Sequence, residues 1–126
     1  MTDSVDRLYA AVLVAQDADP AHSRTARLMR AGPAKMAKKL GEEAFEVVID
    51  ALQGNRDAVV RESADLLYNL VVLWAAAGVD PKDVWHEMER RERLFGIAEK
   101  MLKPSAADKM RHRIASLDVR RMRKRG

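Results

Sequence analysis

Apolar residues recur at helical spacing along most of the chain, and nothing reads as a strand. Residues 5–15 place Leu8, Ala11, Val12 and Ala15 on one face, with Ser4 or Asp3 as the cap. Residues 17–32 are mixed and read as a long loop followed by a short helix over 25–30. Gly32-Pro33 opens a long helix, since proline suits a first turn, and the pattern runs to about Gln53 and stops at Gly54. Asn55 caps the next helix, 56–77, which ends at Gly78. Asp80-Pro81 starts a further helix to about Arg93, and 105 to about 123 reads as a last one. The fold class is all-α: an antiparallel bundle of about four to five helices joined by short loops.

Two of these helices are unusual. On the 33–53 helix, Lys35, Lys39, Glu42, Glu43, Glu46 and Asp50 share about 100° of arc. Most of the remaining circumference is apolar, from Met36 to Leu52. A surface helix shows a wider polar side, so the spacing predicts a mostly buried rod whose charged stripe lines a groove. The 56–77 helix is apolar almost all round. Beyond its polar first turns, Glu62, Asp65 and Asn69 follow an i, i+3, i+7 spacing on one face. Polar groups on so apolar a helix need partners.

Glu42-Glu43-x-x-Glu46 and Glu62-x-x-Asp65, joined by a tight hairpin, can aim several carboxylates at one volume. Crowded carboxylates resist joint ionisation unless a cation is present. Mg²⁺ (or Mn²⁺) takes oxygen ligands and is usually shared with substrate phosphates. The other reading is a salt-bridge stripe with Lys35, Lys38 and Lys39. A ferritin-like di-iron site is disfavoured, because the chain has no Glu-x-x-His pair. Trp74 and Trp85 read as core or interface residues, and His22 as a loop residue near Ser23.

Composition narrows the chemistry further. The 126 residues amount to one domain's worth of chain, without cysteine. That excludes a disulfide framework, a thiol nucleophile, an iron–sulfur cluster and a Cys-ligated zinc site. The longest apolar stretch, 66–79, is broken by Asn69 and is too short to cross a membrane. Acidic residues stand near the N-terminus where an export signal carries bases, so a cytoplasmic protein is expected. The net charge of +4 is uneven. Residues 104–126 carry eight bases and two acids, leaving the preceding chain at −2. No aromatic residue is interleaved with those bases for stacking, so nucleic-acid binding is not expected. The tail reads as a basic helical extension appended to a domain over 1–103. Apolar positions on nearly every side of the 56–77 helix, in a chain this short, predict a homodimer or larger homo-oligomer.

The run from Gly32 to Val48, with its Lys35, Lys38, Lys39 and Glu-Glu-x-x-Glu, resembles one signature of the phosphoribosyl-ATP pyrophosphohydrolases of histidine biosynthesis. The run Glu62-Ser-Ala-Asp65-Leu-Leu-Tyr-Asn69-Leu70 resembles the second, and Ser23-Arg24-Thr25 and Gly78-Val79-Asp80 fit as well. The similarity covers roughly residues 5–100. It implies a MazG-like all-α fold, a homodimer with sites near the subunit interface, and Mg²⁺-dependent hydrolysis of phosphoribosyl-ATP to phosphoribosyl-AMP and pyrophosphate. It also implies that Glu43, Glu46, Glu62 and Asp65 are metal-binding carboxylates, and that Glu42 supports the metal or positions water. The basic run Lys35, Lys38 and Lys39 would meet phosphates, with Ser23, Thr25 and Asn69 as further substrate contacts. Glu42 or Glu46 would accept the proton of the attacking water. Two other readings remain open at this point: a MazG-like enzyme clearing another nucleoside triphosphate, and a non-catalytic helical dimer whose tail binds an acidic partner.

Overall fold

In the computed structural model, residues 3–95, 109–114 and 117 are described. The expectations for the basic tail therefore lie largely outside the described residues. The described chain is all-helical, with no strand among the described residues. Five helices run in order: α1 (Ser4–Ala15), α2 (Arg24–Ala31), α3 (Pro33–Leu52), α4 (Arg56–Ala77) and α5 (Pro81–Phe95). Residues 109–114 are also helical. The chain divides into two compact units, Met1–Val84 and Trp85–Gly126.

Local chemistry sets the boundaries in the first unit. Asp3, rather than Ser4, caps α1 by accepting from the Asp6 N–H at 2.8 Å. Ser23 Oγ caps α2 by accepting from the Ala26 N–H at 3.1 Å. The cap lets α2 begin at Arg24, one residue earlier than the pattern indicated. Gly32, at φ 95° and ψ 171°, ends α2 and leads directly into Pro33 at the start of α3. Only glycine adopts that backbone region readily. Asn55 accepts from the Ala58 N–H at 3.2 Å and starts α4, and Gly78 closes α4 in the left-handed region at φ 73°.

The three residues between α3 and α4 force an antiparallel hairpin, the most extensive helix pair in the unit. Helix α1 packs on α4 and α2 on α3. The core is built from Val12, Leu28, Met36, Val71 and Val72, with Leu8, Tyr9, Met29, Tyr68 and Trp74 around it. The second unit contains most of α5, where the Glu87 carboxylate accepts from Arg90 at 2.9 and 3.0 Å and from Arg91 at 3.0 Å.

One expectation needs correction for the single chain. Helix α3 is not a mostly buried rod: Met36 is its one buried residue. Phe45 is 66%, Val48 52% and Leu52 83% exposed. On α4, Val71 and Val72 are fully buried, yet Val60 and Leu67 are about half exposed. The reason is coverage. Helices α1 and α2 cover only part of the hairpin and leave a broad apolar face open.

Because Met36 is 2% exposed and central to the core, Met36→Ala should lower stability by about 2–5 kcal/mol. Met88→Ala, at a position 42% exposed, should shift it by less than about 0.5 kcal/mol. Urea midpoints at constant slope measure both.

Candidate metal centre and a cationic pocket

The short α3–α4 hairpin sets the register of two helical i, i+3 pairs. Glu43 and Glu46 stand on α3, and Glu62 and Asp65 on α4. One carboxylate oxygen each from Glu43, Glu62 and Asp65 lie within 4.8 Å of one another. Glu46 joins through a hydrogen bond with Glu62, which also engages Glu43. The Glu62 carboxyl is pushed up to about 7, chiefly by the hydrogen bond with Glu46, then by partial burial, then by Glu43 and the two negative charges. A carboxyl at that value retains a proton near neutrality, and that proton lets two carboxylates share a hydrogen bond. Glu43 Oε2 is buried and has no hydrogen-bond partner. An orphaned buried carboxylate oxygen, beside a neighbour driven to hold a proton, is what a missing positive charge leaves behind. The oxygen-only donors suit a hard divalent cation.

The salt-bridge alternative fails on geometry. The ion pairs among the described residues join Asp19 to His22, Asp57 to Arg56, and Glu87 to Arg90 and Arg91. None includes Glu43, Glu46, Glu62 or Asp65, and none includes Lys35, Lys38 or Lys39.

The other sequence-derived residues fall into separate places. Glu42 is exposed and outside the group of three convergent carboxylates. Lys35 and Lys39 line a cavity of about 310 Å³ together with Arg24, Arg27, Leu28 and Ala31, whereas Lys38 is exposed and not among its walls. Ser23 spends its hydroxyl on capping α2. Thr25 Oγ1 lies 2.6 Å from the Tyr68 hydroxyl, tying α2 to α4. Asn69 is 1% exposed and donates to the Asp65 carbonyl at 2.8 Å, while its own Oδ1 is buried without a partner.

Sequence reasoning missed Arg24, Arg27 and Tyr68. Arg24 and Arg27 follow an i, i+3 spacing on α2. That signal was readable, but Arg24 fell just outside the helix predicted over 25–30. Tyr68 follows Asp65 by the same spacing, and its ring carries the Arg24 guanidinium at 5.6 Å from the centroid.

Among the described residues these features define an all-helical protein with a cluster of convergent carboxylates, whose oxygens suit a hard cation, and a cavity lined by arginines and lysines along the same helix. Known proteins identify the group. A family described as phosphoribosyl-ATP pyrophosphohydrolase matches residues 5–92. Phosphoribosyl-ATP pyrophosphatase 2 of Rhodopseudomonas palustris is 63% identical over 98% of both chains. The protein of the same name from Bradyrhizobium diazoefficiens is 62% identical over 99% of both. Phosphoribosyl-ATP pyrophosphatase of Azospirillum brasilense is 52% identical over 80% of this chain and 91% of its own. The chain belongs to the phosphoribosyl-ATP pyrophosphohydrolase family.

The raised Glu62 carboxyl predicts a pH dependence for the metal-free protein. Its stabilising contribution is fully present below the ordinary value of 4.5 and is lost as pH rises through about 7. Glu87, held down to about 2 by Arg90 and then Arg91, has the opposite sign: its contribution is present above 4.5 and lost as pH falls towards 2. Between pH 4.5 and 7 the two do not overlap. Melting temperatures of the metal-free parent should fall across that window, and Glu62→Gln should flatten the fall.

Proposed function

We propose that this chain hydrolyses phosphoribosyl-ATP to phosphoribosyl-AMP and pyrophosphate in histidine biosynthesis, with Mg²⁺ at the carboxylate centre. The observation that carries this reading is the convergence of Glu43, Glu62 and Asp65 on one volume in a member of this family. Glu43, Glu62 and Asp65 hold the ion, and Glu46 borders it through Glu62. When bound, Mg²⁺ neutralises charge on the phosphate oxygens and allows Glu62 to ionise. Glu46 is exposed and hydrogen-bonded at the edge of the cluster, and it takes the proton of the attacking water as general base. Glu42 lies one turn earlier on α3 and orients that water. Lys38, one turn before Glu42 on α3 and outside the cavity that Lys35 and Lys39 line, stabilises charge on the leaving pyrophosphate.

The same reading includes a homodimer formed through the exposed apolar face of α3 and α4. Phe45, Val48, Leu52, Val60 and Leu67 are each between 46% and 83% exposed on these two helices, apolar surface of the kind a second copy covers. Mn²⁺ fits the same oxygen donors, and residues 1–103 are the catalytic domain.

Glu46→Gln and Asp65→Asn keep size while each removes one charge. Pyrophosphate release should fall at least a hundredfold in either variant. The metal-free proteins should melt at the parent temperature or above it, because a repulsion is relieved. Mg²⁺ should raise the parent's melting temperature and raise theirs much less. Loss of stability in both metal-free variants, with no shift of the parent by Mg²⁺, would sink the catalytic reading.

Sedimentation tests the assembly. The parent should run as a dimer at micromolar concentration, and Leu52→Asp with Phe45→Asp should run as a folded monomer.

A further inference from the structure

The cavity on α2 and α3 has a composition opposite to that of the metal centre. Four of its six lining residues are cations, Arg24, Arg27, Lys35 and Lys39, and none is an acid. The surface of the wall is nevertheless mostly apolar, supplied by Leu28, Ala31 and the carbon stems of the four cations. The two arginines are held before any ligand arrives. Arg27 Nη1 donates to the Pro20 carbonyl at 2.8 Å, and Arg24 rests over the Tyr68 ring, whose hydroxyl is hydrogen-bonded to Thr25. Fixing the guanidinium groups lowers the entropy lost on binding. Four cations without a counter-charge repel one another, and the group that resolves this is a multiply charged anion, best a phosphate monoester met by arginine forks.

The position is equally specific. On α3, Lys39 precedes Glu43 by one turn, about 6 Å along the axis, and Lys35 by two, about 12 Å. The pocket therefore begins next to the metal centre and extends away from it onto α2. A phosphoribosyl-ATP molecule has two phosphate-bearing ends: the triphosphate, and the phosphate of the phosphoribosyl group. The triphosphate needs the carboxylate-held cation. The phosphoribosyl phosphate needs cations without carboxylates, and its ribose carbons need an apolar wall.

We propose that the α2–α3 cavity holds the phosphoribosyl end of the substrate, with Arg24 and Arg27 as the residues that distinguish it from ATP. This rests on the substrate reading above. Because both ends lie on one rigid helix, occupation of the cavity places the anhydride at the metal centre. Plain ATP lacks the second anchor and binds through its triphosphate alone.

The test pairs a binding measurement that needs no catalysis with a kinetic one. Ribose 5-phosphate is titrated calorimetrically into the metal-free full chain at low salt. It should bind saturably, and Arg24→Gln and Arg27→Gln should each weaken it at least tenfold. Glu62→Gln should leave that affinity within about threefold of the parent. In Mg²⁺, the ratio of KM for phosphoribosyl-ATP to KM for ATP should rise at least tenfold in both arginine variants, with kcat for phosphoribosyl-ATP falling much less. Arg24 is exposed, so its variant keeps the test valid even if loss of the Arg27–Pro20 bond disturbs α2. The proposal is overturned if ribose 5-phosphate does not bind, or binds the Arg24→Gln protein as it binds the parent. It is overturned equally if the variants raise both KM values together, which would assign the pocket to the triphosphate. If ribose 5-phosphate binds as described but phosphoribosyl-ATP yields no pyrophosphate, the phosphate pocket stands and the substrate reading falls.

Discussion

The crowding of Glu43, Glu46 and Glu62 between α3 and α4 is the constraint on which the site of the first unit depends. Glu62 of α4 meets both Glu46 and Glu43 of α3 and is driven to hold a proton near neutrality, chiefly by its hydrogen bond with Glu46, then by burial, then by Glu43 and the two like charges. The arrangement persists because apolar packing elsewhere fixes the hairpin. Val71 and Val72 anchor α4, Met36 anchors α3, and the short connection capped by Asn55 sets the register. The hairpin is thus stabilised at one end by its core and strained by like charge further along. A cation inserted at the crowded point would convert the repulsion into attraction.

The chain builds a complementary environment nearer the start of α3. The short helix α2 adds two arginines to the lysines of the first two turns of α3, and no acid enters the lining. One helix therefore passes from a cationic segment to an anionic one within three turns. A substrate bearing phosphates but needing metal assistance at only one of them finds both environments on the same rigid support. Tyr68 links them mechanically, since it stands one turn from Asp65 and also meets both Thr25 and Arg24.

Most of this was legible from residue spacing. Caps and glycines marked the ends of α1, α3, α4 and α5 closely, because Asp3, Gly54, Asn55, Gly78 and Pro81 act through local geometry alone. The convergence of Glu43, Glu62 and Asp65 followed from two i, i+3 pairs and a short loop. What spacing could not show was depth. Glu62, Asp65 and Asn69 share a stripe, yet Asn69 is buried and Asp65 exposed, because burial depends on what α1 and α2 cover. For the same reason the apolar surroundings of α3 suggested an interior helix, while in the single chain Phe45 and Leu52 face outward. The arginine pocket escaped because it arises from pairing α2 with α3, a tertiary fact carried by no single motif.

Gly32 deserves to be considered as information without a side chain. Its φ of 95° and ψ of 171° belong to glycine almost alone, yet a Cβ built there would touch nothing within 4 Å. Space does not enforce glycine at this point; the backbone torsion does. The torsion fixes how α2 leaves α3, and so how far Arg24 and Arg27 stand from Lys35 and Lys39. An alanine here would meet no clash, and the chain would shed its strain by turning one helix against the other. The spacing of four charges is therefore written into a pair of dihedral angles, at a residue that a survey of side-chain chemistry would pass over.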